Sequence, residues 1–168
     1  MSEKLTIDEQ MVPFKGRHRL KQYLPPKPKN WGYKIIFLAG SDGIPHNLEV
    51  DQPPELPNVG ASEKVVLQLV QPIPKEENYN LFFDNWFTSV PLVVTLAEQG
   101  IRCTGTVHGN RLPGVNLKRA GHGPFKEKMA MVRETTLYVV KWCDNHSVTL
   151  MSDHIGANPV IEVDRWDC

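Results

Sequence analysis

Apolar and polar positions divide this chain into short elements. Leu5 to Phe14 alternates weakly and predicts a strand that carries Asp8, Glu9 and Gln10. Tyr33 to Ala39 is a continuous apolar run, the pattern of a buried strand. Gly40-Ser41-Asp42-Gly43 follows it as a turn, and Ile44 to Val50 can return as a hairpin partner. Pro53 to Pro57 reads as a loop. From Ala61 to Val70 the period changes to helical, with Val65, Val66, Leu69 and Val70 near one face. Tyr79 to Phe83 is a short buried strand that stops at Asp84. Val90 to Gln99 predicts a second helix, because Ser89 can cap it, Pro91 suits its first turn and Gly100 its end. Ile101 to Val107 is a further strand. Beyond Gly109 the glycines Gly114, Gly121 and Gly123 mark a loop. Three strand-like stretches follow, Phe125 to Arg133, Thr136 to Cys143 and Ser147 to Met151, with Asp144-Asn145-His146 as the turn between the last two.

This order predicts a mixed α/β sheet with helices on it, ending in a β-rich segment. No solenoid-period repeat or low-complexity tract interrupts it. The 168 residues suffice for one domain with a core, and 40% are apolar, an ordinary globular value. Many of the 14 prolines fall in clusters that stiffen the loops. Net charge is zero, from 19 basic and 19 acidic residues, which argues against a dedicated nucleic-acid module but not against a local basic patch. Cys103, Cys143 and Cys168 are an odd, widely spaced set, so neither a disulfide scaffold nor a zinc module is expected and a reducing compartment is favoured. The polar start at Met1-Ser2-Glu3-Lys4 has no signal-peptide core, and no apolar run reaches membrane-spanning length, so no membrane partner is expected.

Candidate chemistry centres on two carboxylates. Asp84 should lie at the end of a buried strand just before a helix, where α/β folds place ligands. Asp8 lies within the first strand. If these two strands are neighbours, both carboxylates converge on a site for a hard, oxygen-seeking ion such as Mg²⁺ or Mn²⁺. A turn or cap role for Asp84 is the simpler alternative. Lys15 to Lys34 holds seven Lys or Arg and no Asp or Glu. Arg17, Arg19 and Lys21 could follow a phosphate backbone, and a solvated loop is the alternative. Asn110 and Arg111 could contact DNA beside Asp84, or merely shape a turn. Trp86 and Phe87 read as core anchors, and Trp31, Trp142 and Trp166 as packing. The six histidines are dispersed, Ser89 lacks a nucleophile-elbow setting, and phosphate-binding or dinucleotide glycine motifs are missing.

The run Asp84-Asn85-Trp86-Phe87-Thr88-Ser89, then Pro91-Leu92, Gly105-Thr106-Val107 and Asn110-Arg111, resembles the core signature of the piggyBac transposases and the host proteins derived from them. Upstream, Ile7-Asp8-Glu9-Gln10-Met11, Phe14-Lys15-Gly16-Arg17, Gln22-Tyr23, Lys27-Pro28, Gly32 and Lys34-Ile35 agree with it. So do Val140-Lys141-Trp142, Asp144-Asn145, Val148-Thr149-Leu150 and Arg165-Trp166 downstream. The blocks follow the family's order over nearly the whole chain. His108 and Cys143 depart from it, standing where a basic residue and Tyr are common.

The resemblance implies an RNase H-like catalytic domain with three metal-binding aspartates, used for cut-and-paste transposition through a DNA hairpin and joining at TTAA. Asp8 and Asp84 match the first two. The third belongs to a Gly-Gly-Val-Asp type of motif beyond a β-rich insertion; this chain has no such motif, and Asp153, Asp164 and Asp167 stand in a different context. The expectation is therefore a partial RNase H-like core over residues 1–111 and insertion segment over 112–168, a fragment not catalytically competent alone. Its expected partners are transposon-end and TTAA target DNA, its cofactor Mg²⁺ or Mn²⁺ in the intact family, with binding by this chain weak or absent, and its location nuclear. A domesticated or decayed DNA- or protein-binding module, or a plain structural fragment, are the alternatives.

Overall fold

A computed structural model describes residues 3–25, 27–51, 60–75, 77, 79–112, 114–115, 125–143 and 146–160. The turn at Asp144-Asn145, the loop from Pro53 to Pro57, and Asp164, Trp166, Asp167 and Cys168 lie outside these residues.

Strand β1 (Lys4–Pro13) starts with strict alternation: Leu5 and Ile7 are buried, and Lys4, Thr6 and Asp8 are exposed. β2 (Gln22–Tyr23) is a two-residue edge piece, and β3 (Trp31–Gly40) and β4 (Pro45–Val50) form the expected hairpin. Gly43 takes the positive φ of 78° that this turn requires. Helix α1 (Ala61–Leu69) is tied to β4 where the Asn47 amide donates to the Leu69 carbonyl at 3.1 Å. β5 (Asn80–Phe83) leads into α2 (Val90–Glu98), whose cap is the expected one, with the Leu92 N–H donating to Ser89 Oγ at 3.2 Å. β6 (Arg102–Thr106), a 3₁₀ turn (Gly109–Arg111), β7 (Lys126–Val132), β8 (Thr135–Cys143) and β9 (Ser147–Ser152) complete the order.

The strands form one sheet in the order β2-β3-β1-β5-β6-β9-β8-β7, with β4 also on β3. β1, β5 and β6 run parallel, and β3 and β9 flank them antiparallel. The sheet does not stop at the β-rich tail, because β9 pairs with β6 from Thr104 opposite Ser152 to Thr106 opposite Leu150. Both helices pack on one face. There Leu5, Ile7, Ile36, Leu38 and Leu81 meet Val66 and Leu69 of α1 and Leu92 and Leu96 of α2, all essentially inaccessible. Each such side chain contributes about 1.5–3 kcal/mol on burial. Close approach also matters: a Cβ at Gly105 would come within 2.3 Å of Thr88 Oγ1 and 2.7 Å of Phe83, so this position holds β6 against the turn after β5. On the opposite face, among the described residues, no helix covers Thr6, Asp8 or Phe82, and Phe82 is 40% exposed.

Candidate active site

The parallel register of β1 and β5 sets Ile7 opposite Phe83. One step further along each strand stand Asp8 and Asp84, both exposed. Strand side chains alternate, so both positions belong to the face opposite buried Ile7 and Phe83, on backbones about 4.8 Å apart. The two acids proposed from sequence are therefore lateral neighbours on the helix-free face, at the carboxyl edge of β5. Each is also held locally. Asp84 Oδ1 accepts the Trp86 N–H at 2.8 Å, and its main-chain carbonyl accepts the Thr88 hydroxyl at 2.7 Å. Asp8 Oδ1 accepts the Glu9 N–H at 2.8 Å.

Three basic side chains organise this edge. Lys34 is 6% exposed, pairs with Asp51 at 3.6 Å and lies 3.3 Å from the Trp86 ring centroid, a cation–π contact that pins the residue following Asn85. Trp86 in turn meets the fully buried Phe87 edge to face at 4.7 Å, which bears out the reading of both as core anchors. Arg111 donates from one guanidinium nitrogen to the carbonyls of Asn85, Trp86 and Thr88 at 3.0, 2.9 and 3.1 Å. It thereby staples the 3₁₀ turn to the Asp84 turn. Lys27 pairs with Glu9 at 2.9 Å. Its ammonium is held above the ordinary lysine range by the Glu9 hydrogen bond first, against a smaller loss from burial, and then by the charges of Glu9, Asp8 and Asp84. One cation thus feels all three acids. Glu9 Oε2, buried, has no partner among the described residues.

The remaining residues singled out from sequence are spread more widely. Asn110 is exposed on the 3₁₀ turn beside Arg111. Arg17 and Arg19 are exposed on the segment after β1, whereas Lys21 is half-buried and donates to the Gly16 carbonyl at 3.1 Å. Lys27 and Lys34 were legible only as members of a basic run. The available signal for Lys34 was a lysine at an inward position of an apolar strand. Trp31 and Trp142 differ from the packing role expected, being 53% and 48% exposed. Among the described residues, no group of three or more His, Cys, Asp or Glu could hold a metal, and no helix is long and apolar enough to cross a membrane. Buried Cys103 has its thiol pushed well up, first by desolvation and then by the Asp153 charge.

A parallel three-strand centre with an antiparallel strand at its flank is the RNase H-like arrangement, here with one acid within the first of the parallel strands and one just past the end of the second. The family model described as transposase IS4 matches residues 1–167, and the chain belongs to this transposase family, on its piggyBac side. It is 32% identical over 179 residues to the human PiggyBac transposable element-derived protein 3, covering 96% of this chain and 29% of that protein. It is 29% identical over 174 residues to the human PiggyBac transposable element-derived protein 2, again covering 29% of the relative. Among solved structures, the piggyBac transposase in a synaptic complex with hairpin DNA matches 97% of this chain and 35% of its own, with a TM-score of 0.75 and 26% identity. The chain thus spans less than a third of the curated relatives it matches. It is a transposase-derived domain, and the family is generally metal-dependent.

Proposed function

We propose that this domain supplies Asp8 and Asp84 as two of the metal-binding acids used for DNA strand cleavage and transfer, and that it is not competent alone. The parallel register of Ile7 with Phe83, which ends one position before Asp8 and Asp84, supports this reading most directly. The donor chemistry fits Mg²⁺ or Mn²⁺, which take carboxylate oxygens. The donor number is short, with two carboxylates where the family resemblance implies three. When bound, such ions favour in-line attack at phosphorus by assisting the attacking and the leaving oxygen. The chain's own contribution is to fix the two ligands. β1 and β5 set their spacing, the Asp84 turn is locked by Lys34 through Trp86 and by Arg111, and Lys27 offsets the accumulated negative charge. Residues 1–111 carry this machinery, and within 112–168, the insertion, β7, β8 and β9 extend its sheet.

The substrate in this reading is DNA, as transposon ends and a TTAA target, handled in the nucleus. Arg17 and Arg19 are exposed for phosphate contact, with Lys21, Asn110 and Arg111 as further DNA-contacting residues. The human relatives are named as transposable element-derived proteins, which favours a second reading, a domesticated DNA- or protein-binding module without catalysis. Calorimetric titration with Mn²⁺ tests the first. Two carboxylates should give weak or undetectable binding, and any weak binding should vanish in Asp8→Asn. A tight site holding two ions per chain would overturn the claim of incompetence, and weak binding indifferent to Asp8→Asn would remove Asp8 from the site.

A further inference from the structure

Away from the acids, the far end of β1 and β3 carries a cleft of about 530 Å³ whose lining includes Phe14, Lys15, Lys21, Lys29 and Trp31. Phe14 and Trp31 are its aromatic lining, and Tyr23 packs beside Trp31. Trp31 is 53% and Tyr23 48% exposed, and their ring centroids lie 4.7 Å apart at an interplanar angle of 37°. Lys21 Nζ stands 5.0 Å from the Trp31 ring centroid, and among the described residues no acidic one lines the cleft. An indole half open to water beside three lysines is unusual as packing, because a core tryptophan buries its faces. Exposed aromatic faces beside cations are how proteins take single-stranded nucleic acid, stacking the base and pairing the phosphate.

Its position relative to the acids follows from register. Val12 pairs with Tyr33 and Asp8 with Phe37. Trp31 alternates with Tyr33, Ile35 and Phe37, so it stands on the same helix-free face as Asp8. Tyr23 pairs with Trp31 across β2 and β3 and shares that face. Pro13, at the cleft, is five positions beyond Asp8 on one strand, about 17 Å at strand rise. That corresponds to roughly five nucleotides of one DNA strand at 3.4 Å each.

We propose that Trp31 and Tyr23, with Lys15, Lys21 and Lys29, form a subsite for an unpaired DNA nucleotide a few positions from the strand break made at the acidic edge. The proposal rests on the DNA-processing reading above and specifies which form of DNA the face holds. Base stacking on Trp31 supplies affinity that paired DNA, with its bases already stacked, cannot claim.

The test is fluorescence anisotropy in chelator with this chain, comparing a fully paired duplex with one of equal length carrying four unpaired nucleotides at one end. The parent chain should prefer the frayed duplex by about 5- to 150-fold, the range of one base stacked on an aromatic side chain. Trp31→Leu should erase that preference and leave paired-duplex binding unchanged, while Trp31→Phe keeps part of it. Indole quenching gives a second readout should Trp31→Leu fold poorly: the frayed end should quench the parent and not Trp31→Phe. An equal affinity of the parent for both duplexes, or a preference and quenching that survive Trp31 replacement, overturns the subsite alone. Failure to bind either duplex overturns the subsite and the DNA reading together.

Discussion

At the residue scale, Asp84 has two duties that substitution can separate. As a ligand it must be an ionised carboxylate; as a turn residue it needs only one oxygen to accept the Trp86 N–H. Asp84→Asn keeps an acceptor and removes the charge, so its melting temperature should match the parent while residual Mn²⁺ binding disappears. Asp84→Ala loses both and should in addition be destabilised by about 1 kcal/mol, measured by urea unfolding. If the two variants melt alike, the hydrogen bond contributes nothing and the turn is held by Arg111 and Thr88. Asp84 was legible in the sequence because a carboxylate closing a short apolar strand is a local pattern. The partner of Lys34 was not. Its contact with Trp86 joins β3 to a turn some fifty positions later, and neither period nor composition encodes that pairing.

At the element scale, the turn between β5 and α2 is built from both sides. Ser89 caps α2 and donates to Glu63 of α1, which fastens the two helices together. Arg111 gathers three carbonyls that no helix or strand satisfies. Arg111→Ala should therefore cost about 1–3 kcal/mol, since removing a charged donor strands its acceptors. Arg111→Lys should recover part of this, because all three contacts come from one nitrogen and an ammonium carries three N–H donors on one nitrogen. Thermal melting measures this, and hydrogen exchange should show faster opening at 85–88. A DNA-binding defect in Arg111→Ala without loss of stability would give Arg111 a direct contact instead. The helix limits were legible because caps are sequence-local signals: Ser89, Pro91 and Gly100 stand where the end-capping rules place them. The joining of β9 to β6 was not, since strand partners far apart in sequence carry no marker of each other.

At the scale of the whole molecule, apolar surface is unevenly distributed. The helix-covered face is closed, whereas the opposite face leaves Phe82 40% exposed and the outer hairpin leaves Met129 and Met131 at 66% and 75%. Trp142 and Leu150 add to it. Exposed apolar area of this kind promotes association. The chain should show concentration-dependent light scattering and a broad thermal transition, both reduced by Met131→Lys. A monomer at high concentration with a sharp, cooperative melt would contradict this. The mixed sheet itself was legible from the order of elements. The open face became visible only once register assigned Thr6, Asp8 and Phe82 to one side.

The β1–β5 pairing also sets an order in time. β1 meets β3 through nearby chain, but its parallel partner β5 must close a loop separating Asp8 from Asp84 by 76 positions, and such long-range parallel pairing is slow to form. At translation rates of roughly 5–20 residues per second, the second acid emerges about 4–15 s after the first. During that interval the β1–β3–β4 unit can stand as a three-stranded antiparallel piece with one edge of β1 unpaired. Lys4 and Asp8 sit along that strand, and charges on an edge deter pairing with the wrong chain. The carboxylate that serves the site in the finished domain thus also guards the nascent strand on which the site is completed.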